Sequence, residues 1–215
     1  MSLRNQAPTS YGQSRNFAGL EKIAIRQRVK VAEKVIARLY AKQPNLKVLE
    51  LGCGFYGANL RYLKTLFPEA SFFGVDVRID NDLCEDGLNL IEATLEDWRP
   101  TTKYDCILSL AVAEHLVAPQ THFELISLSL SNSGLAVITT PTPQAHVVLE
   151  LLSRLRIFDK EACDDHKLYL TRFGLEVLAA RCFLKVIEYR SISVGLNQSC
   201  ILAKETMPAW IAGVT

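Results

Sequence analysis

The sequence has no apolar run long enough to span a bilayer, which takes about 20 consecutive apolar residues. A membrane-embedded role is therefore not expected. It also has almost no net charge, +1 over 215 residues. No global field recruits nucleic acid or an anionic membrane surface. Aromatics make up only 8% of the chain, and no aromatic-and-basic platform suggests base stacking. The six cysteines (Cys53, Cys84, Cys106, Cys163, Cys182 and Cys200) include no C-x-x-C pair. Several lie inside apolar runs, so they read as reduced thiols of a cytoplasmic protein rather than disulfides or a zinc site. The N-terminal "MSLRNQAPTSYGQSR" lacks the apolar core of a secretory signal.

What the chain does have is apolar mass. Hydrophobic residues make up 49%, enough for one ordinary domain with a trimming element. Residues 1–18 read as a polar arm. From Leu20 to Lys42, Ile25, Val29, Ala32, Ile36, Leu39 and Tyr40 recur at steps of three and four, the pattern of an amphipathic helix. The lysines and arginines interleaved there read as its solvated face. Arm and helix together form a segment 1–44, and the remainder, 45–215, forms the main domain.

Strand and helix signals then alternate. Strands are predicted at "LKVLEL", 71–77, 88–94, 105–110 and 135–140, the last entered through a turn "SNSG". Helices are predicted at 58–67, 119–131, 144–157 and from an N-cap at Thr171 to Cys182. Near-continuous apolar strands separated by helices imply a parallel sheet covered on both faces. The end departs from this: "FLKVIEYRSIS" and "QSCILAKE" are joined by "VGLN" and read as an antiparallel hairpin.

The chemistry concentrates after the first strand. Gly52, Gly54 and Gly57 stand in the order G-x-G-x-x-G, with Glu50 just before them and Asp76 ending the second strand. Ligands of open α/β sheets lie beyond the carboxyl ends of the strands. Asp76 suits the hydroxyls of a ribose. Glu50 would repel a pyrophosphate and suits a ligand carrying an ammonium group.

The series E-L-G-C-G-x-x-G, "GVDV", "YDCILSLAVAEHL", "GLAVITTP" and the terminal hairpin resembles class I S-adenosylmethionine-dependent methyltransferases over roughly residues 45–205. The resemblance implies a Rossmann-like, doubly wound sheet of seven strands in order 3-2-1-4-5-7-6, with an N-terminal helical cap. It implies S-adenosylmethionine as cofactor. Glu50, Gly52, Cys53, Gly54 and Gly57 would meet the methionine part, and Asp76 with Val77 the nucleoside. Thr94 or Leu95 would meet the adenine, and Ser109 would lie where the chain passes the cofactor.

Methyl transfer needs alignment, exclusion of water and often a base. His115, just beyond the fourth strand, and His166, beside Asp165, are the candidate bases. Thr140, Pro141, Thr142, Asp165 and Tyr169 are read as cleft-lining. His146 reads as a helix-start residue and His122 as peripheral packing. Some relatives bind a divalent metal through E-x-x-E-H at this point. This chain has Ala111 in place of the first Glu, so no metal is expected. The [D/N]-P-P-[Y/F] of DNA amino-methylating enzymes and the Pro-Cys of cytosine-C5 enzymes are missing. A small-molecule or sugar-bearing acceptor is expected, with oxygen favoured. A nicotinamide-dependent oxidoreductase and a non-catalytic S-adenosylmethionine-binding protein are the alternatives. The arm is expected to form a lid over the cofactor.

Overall fold

The computed structural model describes residues 18–80, 87–145, 148 and 168–205. The predicted arm, most of the 144–157 helix, Cys84, Cys163, His146, Asp165 and His166 lie outside these residues.

Seven strands form one sheet: β1 Lys47–Leu51, β2 Ser71–Asp76, β3 Asn89–Glu92, β4 Tyr104–Leu110, β5 Leu130–Pro141, β6 Leu184–Ile192 and β7 Asn197–Lys204. Their order is β3-β2-β1-β4-β5-β7-β6. The first five pair in parallel, and β7 runs antiparallel to both neighbours. The helices are α1 Ala18–Tyr40, α2 Ala58–Leu66, α3 Pro119–Ser129 and α4 Arg172–Arg181.

The strands read as apolar because both faces are covered. Val48, Cys106, Leu108, Val137 and Ile201 join one core with Ala32 and Ile36 of α1 and Leu60 and Leu63 of α2. Ile107, Ala136, Ile138 and Cys200 join the other with Phe123 and Ile126 of α3 and Leu175 of α4. The cap helix thus shares the layer on one face with α2. Its Tyr40 ring stands 5.2 Å from that of Phe67, near the strands' starting edge. Its Arg28 donates to Asn197, at the start of antiparallel β7 and so at the strands' carboxyl edge. The described cysteines, Cys53, Cys106, Cys182 and Cys200, are free and buried.

Two local readings change. The "SNSG" segment is no turn before a separate strand. Leu130 already pairs with Tyr104, and the next register pair is Cys106 with Leu135, so residues 131–134 form a bulge inside one strand. Asp105 holds the bulge by accepting from Ser131 Oγ at 3.3 Å. Gly134 permits it, since a Cβ there would stand 2.8 Å from Leu130 Cδ1 and Ser131 Oγ. The third strand is also shorter than expected, ending at Glu92. Thr94 takes the chain into a turn: its carbonyl accepts from Trp98 N–H, and its hydroxyl accepts from Asp97 N–H at 3.1 Å.

Candidate active site

The glycine loop is pinned to β2 from below. Gly52 and Cys53 N–H both donate to Val75 O, at 2.8 and 3.2 Å. The Cys53 thiol points into the core, where burial, with Glu50 and Asp76 nearby, pushes it up to about 12. Cys53 therefore offers backbone to a ligand and its side chain to packing. Gly54 N–H donates to Asp76 Oδ2 at 2.8 Å, which ties the loop tip to the end of β2.

Two glycines need their freedom here. Gly52 has φ +74°, and a Cβ on it would meet Val112 Cγ2 at 2.6 Å. Gly54 has φ +72°, yet a Cβ on it would meet nothing within 4 Å. The backbone there faces open space, so a ligand can lie directly against it. Gly57 forms the N-cap of α2.

Acids flank the loop. Glu50 is fully buried. Its Oε1 accepts from Asn59 Nδ2 at 2.8 Å, and its Oε2 has no partner. Burial, opposed by the Asn59 bond and reinforced by Asp76, raises its carboxyl to about 7. An orphaned buried carboxylate oxygen on the strand leading into that loop fits a cationic ligand group. Beyond Asp76, Val77 leaves 59% of its surface exposed, an apolar platform at the carboxyl end of β2. Leu95 packs partly into the core, and the Thr94 hydroxyl donates to Asp97 Oδ2 at 2.7 Å. These features fit S-adenosylmethionine. A dinucleotide fits less well, because Glu50 would repel its pyrophosphate.

At the end of β4 the chain kinks through Ala111, φ 60°, whose N–H donates to Thr139 O at 2.9 Å. A short 3-10 turn, Ala113–His115, follows. It places His115 half-buried at the carboxyl edge of the sheet. Glu114 turns inward instead and is 1% exposed. It accepts from Thr140 Oγ1 at 3.1 Å. Burial raises its carboxyl, while His115 and Arg28 of α1 act in the other direction. Thr142 donates to Gly195 O at 2.7 Å, and Gln198 donates to Pro141 O and Leu170 O. Thr140 and Thr142 are thus buried in polar contacts around the end of β5.

Ser109 and His122 form a buried pair, Oγ to Nε2 2.8 Å. The Ser109 side chain therefore turns toward α3, and only its backbone stays with the strand end. His122 is not peripheral packing as expected. It is 3% exposed, its Nδ1 is unpartnered, and burial lowers it to about 4. Sequence reasoning also missed Asn59 and Arg28. Asn59 could have been found as a polar residue on the first turn after the glycine loop. Arg28 could have been found as a cation beside the apolar stripe of α1. Among the described residues, no group of three or more His, Cys, Asp or Glu is placed to hold a metal, and no helix is long and apolar enough to cross a membrane.

This architecture recurs in solved structures. Magnesium protoporphyrin IX methyltransferase from Synechocystis PCC 6803, with bound SAH, shares 13% identity over 90% of each chain at TM-score 0.68. The plantazolicin methyltransferase BpumL, in complex with a pentazolic desmethylPZN analog and SAH, shares 18% over 90% of each chain at 0.67. A putative sarcosine dimethylglycine methyltransferase from Galdieria sulphuraria shares 16% over 84% of this chain and 86% of its own at 0.62. These likenesses concern the fold. No curated protein matches by sequence. A family profile described as "Methyltransferase domain" matches residues 24–188, the greater part of the chain. The chain belongs to the methyltransferase-domain family, and S-adenosylmethionine is the methyl donor that membership carries with it.

Proposed function

We propose that this enzyme methylates a small-molecule or sugar-bearing acceptor, with oxygen as the favoured target. The observation that carries the cofactor half of this reading is the Glu50 carboxylate, buried on the strand that leads into the glycine loop with one oxygen unpartnered. In this reading Glu50 and the backbone of Gly52, Cys53, Gly54 and Gly57 hold the methionine part. Asp76 takes the ribose and Val77 packs on the nucleoside. The Thr94–Leu95 turn bounds the adenine, and the Ser109 backbone borders the site. S-adenosylmethionine supplies a methyl group already bound to a good leaving group.

The remaining work falls to the chain. The glycine loop and the end of β4 align the acceptor and exclude water. His115 takes the acceptor's proton as the new bond to carbon forms and the carbon–sulfur bond breaks. His166 is the second candidate base. The acceptors named for the structural neighbours differ from one another, so the acceptor here follows from the local site and not from the fold.

The test pairs binding with turnover. Calorimetry with S-adenosylhomocysteine should give a site that Asp76→Ala weakens at least tenfold. Mass spectrometry of hydroxyl, amine and thiol acceptor panels should show methyl gain on hydroxyls. His115→Ala should lower the rate while cofactor binding holds. Binding without turnover on any acceptor would identify a binding protein instead.

A further inference from the structure

The lysines and arginines of α1 are mostly exposed. Some of them line a groove of about 310 Å³ between α1 and the β6–β7 hairpin. Lys30, Lys34 and Arg38 stand on the α1 wall, one turn apart at about 6 Å per step along the helix. Arg190 stands on the β6 wall, and Glu188 is the one acid among the described lining residues. It bridges Arg38 Nη1 at 3.2 Å and Arg190 Nε at 2.5 Å. Both guanidiniums remain about half exposed. Lys30 and Lys34 have no ion-pair partner among the described residues. The floor is apolar, from Val35 and Ile201.

We propose that this groove binds a small, soluble ligand bearing two or more phosphates, at a site separate from the methyl-transfer site. Four cations from two elements converge on a concavity with one carboxylate between them. Glu188 offsets one of the four positive charges, and an entering anion would offset the excess. A single carboxylate ligand would leave most of that charge unbalanced, whereas an oligophosphate balances it and suits the arginine forks. The volume lies at the small-molecule end of ligand sites. Among the described residues the lining holds no aromatic side chain, so none of them stacks the bases of a nucleic acid. The groove lies on the β6 edge, while the glycine loop lies between β1 and β2.

The experiment is calorimetry of the full chain with inorganic tripolyphosphate and with inorganic phosphate at fixed ionic strength. Tripolyphosphate should bind at least tenfold tighter than phosphate. The pair Lys30→Glu with Lys34→Glu should lose at least tenfold in tripolyphosphate affinity. The pair Lys47→Glu with Arg181→Glu, equal in charge change but remote, should not. S-adenosylhomocysteine affinity serves as the folding control and should hold in all of them. No tripolyphosphate binding by the native chain overturns the proposal, and so does an equal loss in both pairs.

Discussion

Glu50 and His122 are both buried titratable groups, yet burial moves them in opposite directions. Glu50 is raised from 4.5 to about 7. Its contribution to stability is full below pH 4.5 and is lost as pH rises through 7. Above pH 7 the unliganded protein holds a buried charge, at a cost on the order of 3 kcal/mol. Glu50→Gln should therefore raise urea resistance at pH 8, leave it nearly unchanged at pH 4, and weaken S-adenosylhomocysteine binding at least tenfold. Equal urea midpoints at pH 8 would refute this. His122 is lowered from 6.5 to about 4. Its contribution is full above pH 6.5 and is lost as pH falls toward 4, again on the order of 3 kcal/mol. Wild type should lose more stability than His122→Asn between pH 7 and 4; parallel curves would remove His122 as the cause. Asp76 and the glycines were legible in the sequence because their spacing is itself the signal. The state of Glu50 was not. Its missing partner and its burial depend on β2, α2 and the loop closing around it.

At the scale of single elements, local chemistry succeeded where the competing structures were local. Thr171 was read as an N-cap, and its hydroxyl accepts from Gly174 N–H at 3.0 Å. Thr171→Ala should cost about 1 kcal/mol in urea unfolding, and no change would show that the packing of α4 carries that end alone. The "SNSG" segment failed for the opposite reason. Ser, Asn and Gly suit both a turn and a bulge, and the choice was made by Asp105 on a neighbouring strand. Gly134→Val should destabilise by about 1–3 kcal/mol through overpacking against Leu130 and Asp105. A variant as stable as wild type would mean the bulge can open freely.

At the scale of the whole molecule, α1 links the two ends of the sheet. It covers one face together with α2, and its Arg28 region stands at the carboxyl edge beside Asn197. Deleting residues 1–19 should weaken S-adenosylhomocysteine affinity in calorimetry; unchanged affinity would end the idea of a lid. By itself the sequence determined the hairpin end and the position of the glycine loop, which follow from periodicity and spacing, properties of neighbours along the chain. The strand order came from the family resemblance that the motifs carry. Only the tertiary structure decided that Glu50 keeps an unpartnered oxygen, that His122 is a buried partner of Ser109, and that part of the cationic face of α1 meets Arg190 across a groove. Those are meetings of residues far apart in sequence, and desolvation and charge act through space regardless of the path of the chain.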